Sequence, residues 1–379
     1  MGIGVLGFVV DNLTQIHQRY QQLHPKLIAG YDEFDQQLKI LQVYAYYDAQ
    51  HKQADPGTIL RFVQVLDDTA VFGSSLGFCS VPATFPPTSH PAYFDHWVSN
   101  VWSRTEFLQT LQDTLGFCPK VDFNAGVVAA GEAQIESTVT GNTLTKEITP
   151  AEALKDQSQV YLPINNALSA VGHVHGFLQE LGQGVQHIAS RVENIVDFVQ
   201  QANDTRRMTG EGFSFLNIPR SYYGILQPGD LPKDCREAVW EALQVAGIMD
   251  LDGSVDLDAT RESLGTILEQ QLSEADLPAF EENKEEVLRT ICQSRYQNLH
   301  SLLANHVSEA TYLAIVRNQI LVDIQGDDLL YQIFTCNILQ RKAGDEAPFL
   351  EFIQRVCSEC KDENGCPKKV RPGCGGFGT

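Results

Sequence analysis

The sequence predicts an α+β protein in which tandem βαβββ modules form a half-open barrel and a helical insertion interrupts the last module. Three features predict this fold: a duplicated strand–helix pattern, short apolar runs bounded by turn residues, and one long polar segment with helical periodicity. The chain has 379 residues, 43% of them hydrophobic. That is enough for roughly two to three domains with sizeable cores.

Residues 1–90 predict a first, shortened βαβββ-like module. The apolar run IGVLGFVV predicts a strand, and DNLTQIHQRYQQLH predicts a helix with Asp11 or Asn12 as its N-cap. LKILQVYAYY and TILRFVQVL predict two further strands. A stretch rich in Pro and Ser, 81–91, predicts a linker to the rest of the chain.

Residues 91–379 predict a domain of two more βαβββ modules, because one stretch of sequence recurs 91 residues later. His96, in YFDHWVSNV, and His187, in GVQHIASRV, are equivalent positions of the two copies. Measured from these histidines, five residue pairs are identical: Val101 and Val192, Phe107 and Phe198, Gln109 and Gln200, Asp113 and Asp204, and Thr114 and Thr205. Agreement at so many positions on one register predicts a duplicated module.

The polar segment from about 231 to 318 predicts a helical insertion in the second of these modules. CREAVWEALQVAG, ATRESLGTILEQQL and ENKEEVLRTICQSRYQNLHSLLANHV place apolar residues three or four apart. Strand patterns return in QILVDIQGDDLLYQIFT and PFLEFIQRV. We expect the insertion to pack outside the barrel, as a lid or interaction surface, and the tail after Val356 to be loop.

Charge and cysteine usage restrict the partners and the compartment. The chain carries 27 Lys and Arg against 48 Asp and Glu, a formal net charge of −21. Nucleic acids and anionic membranes attract clustered Lys and Arg, so this acidity argues against both as partners. No apolar run approaches the roughly 20 residues of a membrane span. Nine cysteines, an odd number, favour a reducing compartment, so we predict a cytoplasmic protein.

Two motifs resemble ligand-binding loops but lack essential parts. Gly2, Gly4 and Gly7 have the spacing of a dinucleotide-binding fingerprint, yet no strand precedes them, so they indicate the start of a strand. The segment Asp250–Asp258 lacks the glycine and the glutamate that a calcium loop needs at its sixth and twelfth positions. It predicts a turn at Gly253 instead.

Clusters of cysteine and histidine leave alternatives open. His173 and His175, in GHVH, would share one face if this segment is a strand, either as hydrogen-bonded structure or as ligands. Four cysteines near the C-terminus offer enough thiolates for a tetrahedral zinc, but their spacing is uncommon and favours free thiols in a glycine-rich loop. These are Cys357, Cys360, Cys366 and Cys374.

Two histidines and one carboxylate predict a metal centre inside the barrel. His96 and His187 each lie on the first strand of a repeated module, flanked by apolar residues. Glu351 interrupts the apolar strand PFLEFI, where a buried carboxylate is costly unless it is paired or bound to a metal. Two imidazoles and one carboxylate form the facial triad of non-haem Fe(II) oxygenases. Satisfied core residues are the alternative that the residues alone leave open.

At these positions the sequence resembles the 4-hydroxyphenylpyruvate dioxygenase family, within the vicinal-oxygen-chelate superfamily. The resemblance is carried by GQGVQHIASRVENIV with FLNIPRSYYGIL, by QILVDIQGDDLLYQIFT, and by PFLEFIQRV followed by GCGGFG. YFDHWVSNV is a weaker match to the family's first-histidine strand. The resemblance covers most of 92–379 outside the insertion, and the chain ends at Thr379, where the family continues.

The resemblance implies that His96, His187 and Glu351 bind Fe(II), with chemistry centred on the iron and no separate acid or base. It also implies a substrate pocket, in which His173 stands where the family usually has Gln, and a glycine-rich gate that contributes an aromatic ring. The pocket residues are Gln332, Phe334, Gln186, Asn165, Ser137, His173 and Phe349, and the gate residue is Phe377. The expected partners are a 2-oxo acid and O2, and a homo-oligomer stays open.

Three hypotheses about function follow from this resemblance. The first is a 4-hydroxyphenylpyruvate dioxygenase that makes homogentisate by oxidative decarboxylation and hydroxylation of the same substrate. The second keeps the iron chemistry but changes the 2-oxo acid, or gives a 4-hydroxymandelate-type benzylic hydroxylation. The third is a metal-free binding protein on the same scaffold, which the complete set of ligand residues disfavours.

Overall fold

The chain forms two β-sheets and eight helices in the part described by the computed structural model. The strands are β1 (Val5–Val9), β2 (Ile28–Phe34), β3 (Leu38–Asp48), β4 (Gln53–Val65), β5 (Tyr93–Asn100), β6 (Cys118–Pro119), β7 (Gly126–Ala130), β8 (Ala133–Gly141), β9 (Tyr161–Ala167), β10 (Gly184–Arg191), β11 (Ser214–Phe215), β12 (Leu321–Gln325), β13 (Asp328–Cys336) and β14 (Phe349–Val356). The helices are α1 (Leu13–Leu23), α2 (Arg104–Leu115), α3 (His173–Leu181), α4 (Ile195–Thr209), α5 (Arg236–Val245), α6 (Arg261–Gln271), α7 (Leu277–Ser294) and α8 (Glu309–Arg317).

The structure describes most but not all of the chain, and the predicted linker at 81–91 lies outside the described residues. These residues are 2–34, 37–67, 92–119, 126–130, 133–142, 152, 158–297, 299, 303, 307–336, 338–339, 342, 344–357 and 373–376. Within these ranges, no helix is both long enough and apolar enough to cross a membrane.

The first sheet is a βαβββ unit with the strand order β1-β4-β3-β2. β1 runs parallel to β4, α1 connects β1 to β2 at the other edge of the sheet, and the other pairs are antiparallel. Asn12 is the N-cap of α1, since its side chain accepts a hydrogen bond from the Gln15 amide. The sequence did not predict β2, because Gly30, Asp32 and Glu33 interrupt its apolar pattern.

The second sheet contains two further βαβββ units and curls into a half-open barrel, as the sequence predicts. Its strand order is β11-β13-β14-β10-β5-β9-β8-β6, with β12 on β13 and β7 on β8. The two units begin with β5 at Tyr93 and β10 at Gly184, and their helices begin at Arg104 and Ile195. Both intervals are 91 residues, the period of the sequence repeat.

The two faces of the second sheet have different surroundings, as the side chains of β13, which alternate between the faces, show. Tyr331 and Ile333 point to the outer face, where they pack in one apolar cluster with α4, α8 and the region after α7. Gln332 and Phe334 point to the opposite, inner face. The insertion of α5 to α8 therefore covers the outer face of the last unit, and α5, α6 and α7 share a second apolar cluster of their own.

The GHVH segment is helical, so its two histidines do not share a face as they would on a strand. α3 begins at His173, directly after Gly172, whose φ of 94° suits glycine. Its buried side chains are Val174, Phe177 and Leu178, which recur at three- and four-residue spacing. That apolar stripe favours a helix, and residues two apart on a helix do not share a face.

The C-terminal cysteines also differ from the prediction. Cys357 and Cys374 form a disulfide with their Cα atoms 5.9 Å apart, so neither is a free thiol. The chain returns to the end of β14 because Gly375 packs closely against β13: a Cβ at this glycine would lie 2.9 Å from the Leu329 carbonyl oxygen. The other two predicted cysteines, 360 and 366, lie outside the described residues. The turn predicted at Gly253 is present, with a φ of 88°.

Gly224 anchors the start of the insertion, and we predict that Gly224→Ala destabilises the protein. An added Cβ would lie 2.2 Å from the Ser294 carbonyl oxygen and 2.9 Å from the Tyr296 amide nitrogen, both backbone atoms. Overpacking of this kind costs about 1–3 kcal/mol of unfolding free energy. Urea unfolding measures the change.

The matched control is Gly265→Ala, inside helix α6. Its new methyl meets the nearest side-chain atom at 3.6 Å, an ordinary contact. Replacing a glycine in a helix by alanine should stabilise the protein by about 0.5–1 kcal/mol. Equal stability of the two variants would contradict the close packing at Gly224.

Candidate metal centre

Three adjacent strands bring His96, His187 and Glu351 together on the inner face. β10 lies between β5, its antiparallel neighbour, and β14, its parallel neighbour. Ala189 on β10 is directly opposite both His96 and Glu351. His187 shares the face of Ala189, two residues earlier. The methyl side chain of Ala189 leaves the space between the three functional groups open.

The three side chains converge on one point in the interior. Oε2 of Glu351 lies 3.4 Å from Nε2 of His96 and 3.3 Å from Nε2 of His187. The exposed fractions are 0% for His96, 7% for His187 and 1% for Glu351. Both oxygens of Glu351 and Nε2 of His187 are buried without a hydrogen-bond partner. Buried polar atoms are normally satisfied, so this group could hold a metal ion.

The spacing of the donor atoms suits a divalent ion. Two ligands at right angles, each bonded to a metal at about 2.1 Å, lie about 3 Å apart. The two nitrogen–oxygen distances given above are only slightly longer. All three ligand atoms lie within 4.8 Å of one another.

Two β-bulges place a hydrogen-bond acceptor beside each imidazole. The register between β5 and β10 skips Asp95 on one strand and Gln186 on the other. Each skipped residue immediately precedes a histidine, and its side chain contacts Nδ1 of that histidine. The Asp95 carboxylate lies 2.8 Å from His96, and the side-chain amide oxygen of Gln186 lies 3.1 Å from His187. With the proton on Nδ1, the lone pair of Nε2 points at the metal position.

The two imidazoles differ in their pKa values because their partners differ in charge. Burial lowers the pKa of both rings, since it disfavours the protonated form. For His96, the hydrogen bond with the Asp95 carboxylate and the negative charges of Asp95 and Glu351 outweigh burial, so its pKa lies above the usual value. For His187, whose neighbour Gln186 is neutral, burial prevails and the pKa is lowered. A neutral imidazole is the form that binds a metal.

Glu351 and Asp95 both stay ionised in the interior, each for its own reason. Burial by itself would raise the pKa of Glu351, but the two neighbouring imidazoles lower it below its usual value. Burial would also raise the pKa of Asp95, but the charge and hydrogen bonds of Arg355 hold it well below the usual range. The site therefore contains two carboxylates close together that remain charged.

Arg355 connects His96 and its partner Asp95 to the glycine-rich C-terminal segment. Its guanidinium donates two hydrogen bonds to Asp95, at 2.8 and 2.9 Å. It also donates to the backbone carbonyls of Cys374, at 2.6 Å, and Gly376. The side chain of Arg355 is fully buried. The predicted gate segment is thus connected to His96 through the ion pair of Arg355 and Asp95. The gate residue Phe377 lies outside the described residues.

Several of the predicted pocket residues surround this group. The Phe349 ring stacks on His187 with ring centroids 4.9 Å apart, and Phe334 meets Phe349 edge to face at 5.5 Å. Gln332, two residues before Phe334 on β13, is buried and donates from Nε2 to the Asp323 carboxylate at 2.7 Å. Together they form an apolar wall with one polar position.

Ser137 and Asn165 lie further from the three converging side chains. They are opposite each other on β8 and β9, and Asn165 pairs with Asn100 at the far end of β5. Asn100 is four residues from His96, about 13 Å along the strand. The structure therefore does not bring these two residues into the group formed by the histidines and the glutamate.

His173 is not one of the buried, converging side chains. It is exposed as the first residue of α3, and partial desolvation lowers its pKa. Its charge is among the smaller causes that lower the pKa of His187.

Sequence reasoning missed three charged residues of this site: Asp95, Arg355 and Asp323. A signal existed for Asp95, because it and Gln186 occupy the same position of the repeat, directly before a histidine. Asp323 interrupts the apolar strand ILVDI much as Glu351 interrupts PFLEFI. Arg355 gave no local signal, since its partner Asp95 is 260 residues away in the chain.

Comparisons with known proteins give distant structural likenesses only. A scan against protein-family profiles finds no matching family, and a search of curated proteins finds no relative. Among solved structures, a triple mutant of 4-hydroxymandelate synthase from Streptomyces coelicolor is 15% identical, with a TM-score of 0.45 and coverage of 93% of this chain and 71% of that one.

Two other solved structures show similar or lower likeness. A fusion of a xylose isomerase-like TIM barrel with 4-hydroxyphenylpyruvate dioxygenase is 12% identical, with a TM-score of 0.44 and coverage of 96% of this chain and 39% of that one. A methylmalonyl-CoA epimerase is 15% identical, with a TM-score of 0.24 and coverage of 33% of this chain and 74% of that one. Likenesses this distant do not bear on function, which is therefore inferred from the site.

We predict that Asp95→Ala destabilises the protein strongly at neutral pH. The change leaves Arg355 buried without its counter-charge, and breaking a buried pair costs about 3–5 kcal/mol of unfolding free energy. The folded-state pKa of Asp95 is depressed, so its contribution is fully present above its unfolded pKa of about 4 and is lost progressively as the pH falls from there through the folded-state pKa. Urea unfolding of both proteins at pH 7 and pH 3 measures this loss.

The control is Asp258→Ala, which removes an exposed partner of Arg317. Exposed ion pairs contribute about 1 kcal/mol at most, so this variant should stay close to the wild type at both pH values. A cost for Asp95→Ala no larger than that of the control would show that the buried pair does not stabilise the fold.

Proposed function

We propose that this protein is an Fe(II)-dependent dioxygenase that acts on a 2-oxo acid. The observation that best supports the proposal is the buried convergence of two imidazole nitrogens and one carboxylate on the inner face of the barrel. Two histidines and one carboxylate, with coordination positions left open, are the ligand set of non-haem Fe(II) oxygenases. The proposed catalytic domain, 91–379, contains all three ligands.

The buried acceptor atoms argue against a metal-free binding protein. Without a cation, the oxygens of Glu351 and Nε2 of His187 have lost their hydration and gained no hydrogen bond. An uncompensated buried carboxylate is costly, and a divalent cation between these atoms would remove that cost. The same ligand set also suits catalytic zinc, so the choice of iron rests on the sequence resemblance, and its test includes both metals.

The residues of this chain would bind and orient the substrate around the metal. Bound Fe(II) would supply the oxidative decarboxylation of a 2-oxo acid by O2 and the coupled hydroxylation of the same molecule. Phe334 and Phe349 would hold an apolar part of the substrate and exclude water from the reaction. Gln332 would fix a polar end, and the acceptors Asp95 and Gln186 would keep both imidazoles in the metal-binding tautomer.

Within this class, we propose 4-hydroxyphenylpyruvate as the substrate and homogentisate as the product. The motifs around His187, Gln332 and Glu351 support this choice, because they resemble that family. A different 2-oxo acid, or a 4-hydroxymandelate-type benzylic hydroxylation, is the second candidate. His173 favours the second candidate, since it places an ionisable ring at a sequence position where the family usually has an amide. We propose a cytoplasmic location, although the disulfide is not the thiol state expected there.

The metal assignment predicts that His96→Ala, His187→Ala and Glu351→Ala each lose tight Fe(II) binding while the protein stays folded. Removing one of three ligands should weaken the affinity by at least about a hundredfold, more than the loss of an outer-shell partner. Anaerobic calorimetric titration with Fe(II) and with Zn(II) measures the affinity, and circular dichroism reports on folding.

The control is His51→Ala, an exposed histidine paired with Asp48 on the first sheet. It should bind Fe(II) like the wild type. Fe(II)-loaded wild type should then consume O2 with a 2-oxo acid, and the mass of the product distinguishes ring from benzylic hydroxylation. Wild-type affinity in any one of the three ligand variants would remove that residue from the metal site.

His173→Gln should change the ranking of substrates without changing the affinity for iron. A glutamine amide donates and accepts at every physiological pH, whereas an imidazole gains charge near its pKa. We expect the variant to shift the relative kcat/KM towards 4-hydroxyphenylpyruvate among a panel of aryl and aliphatic 2-oxo acids. An unchanged ranking, or a loss of iron, would show that His173 does not line the substrate pocket.

A further inference from the structure

A buried acceptor close to the metal ligands indicates how the site selects its ligand. Gln332 lies two residues before Phe334 on β13, and Phe334 pairs with Glu351 on β14. Since alternate residues of a strand share a face, Gln332 and Glu351 lie on the same inner face. The side chain of Gln332 is 4% exposed, so its amide must find partners inside the protein or on a ligand.

Asp323 fixes which end of the Gln332 amide faces the site. Nε2 of Gln332 donates a hydrogen bond to Oδ2 of Asp323 at 2.7 Å. An ionised carboxylate only accepts hydrogen bonds, so the amide nitrogen has to point at Asp323 and the amide oxygen away from it. That oxygen, Oε1, is buried and has no hydrogen-bond partner.

The orphaned oxygen gives the site a chemical preference. A buried carbonyl without a donor costs free energy, and a ligand that brings an O–H or N–H group recovers that cost. A ligand of the same shape without a donor leaves the carbonyl unsatisfied, and sites built in this way reject such analogues strongly. The amide oxygen of Gln332 therefore favours a hydroxyl group over an ether, a halogen or a carboxylate.

We propose that Asp323 is a specificity-determining positioning residue, which presents the amide oxygen of Gln332 so that the site selects a ligand whose polar end donates a hydrogen bond. A phenol on an aromatic 2-oxo acid has this chemistry. The inference rests on the proposed function, because it takes the ligand to be a 2-oxo acid bound at the metal. It adds a residue, Asp323, that would never touch the ligand.

Two matched ligands test this inference on the Fe(II)-loaded protein under anaerobic conditions, where no turnover occurs. 4-Hydroxyphenylpyruvate and 4-fluorophenylpyruvate share the 2-oxo acid and the ring, and they differ in the para hydrogen-bond donor. Titration calorimetry should show about tenfold tighter binding of the hydroxyl compound to the wild type, the effect of one hydrogen bond to a buried neutral acceptor. Equal affinities for the wild type would overturn the inference.

The decisive variant is Asp323→Asn, which keeps the shape of the side chain. Its amide can donate as well as accept, so Gln332 can turn either end towards the ligand. We expect the preference for the hydroxyl compound to fall to within about threefold. Gln332→Met, which removes the acceptor, should lose the preference as well.

Asp327→Asn is the matched control, because it removes one negative charge from the exposed turn of the same β12–β13 hairpin. It should keep the wild-type preference. A wild-type preference in Asp323→Asn, together with its loss in Gln332→Met, would show that Asp323 does not orient the amide. Failure of both ligands to bind the Fe(II)-loaded wild type would overturn the proposed function and this inference together, whereas binding with an unaltered preference in Asp323→Asn overturns the inference alone.

Discussion

The buried carboxylate of Glu351 is the constraint on which the site depends. An ionised carboxylate that has lost its hydration carries a penalty of several kcal/mol unless other groups compensate. The imidazoles of His96 and His187 lie within 3.4 Å of it, but a neutral ring offers its Nε2 lone pair rather than a proton. A cation between the three side chains would supply this compensation. The three side chains come from β5, β10 and β14, which are direct neighbours in the sheet.

Both copies of the duplicated module orient their imidazole in the same way. In both copies a bulged residue directly before the histidine accepts a hydrogen bond from Nδ1. The copies differ in charge, because one acceptor is Asp95 and the other is the neutral Gln186. The negative charge of Asp95 would make His96 the more basic ligand, and it obliges the fold to bury Arg355 as a counter-ion. Arg355 then has donors left over, and these hold the carbonyls of the glycine-rich segment.

The three converging residues could be picked out from the sequence because each leaves a local or periodic signal. The two histidines share one position of a 91-residue repeat, and Glu351 stands out as a charge within an apolar run. The ion pair of Asp95 and Arg355 could not be predicted, since pairing over 260 residues depends on which strands become neighbours. The helix at GHVH was missed for a different reason. Two histidines in alternation suggested a strand, while the apolar spacing of the residues after His173 carried the stronger helical signal.

The N-terminal module and the helical insertion, which lie outside the two-module barrel, cover apolar residues on its outer face. In the middle unit, Trp97 follows His96 on β5 and so points outward, where it packs in one cluster with Phe62 of the first sheet. In the last unit, Tyr331 and Ile333 are covered by the helical insertion. Strand alternation makes these two roles inseparable, because every inward ligand has outward neighbours that require burial. A barrel that places His96, His187 and Glu351 on the inner face thus creates the surfaces on which the N-terminal module and the insertion dock.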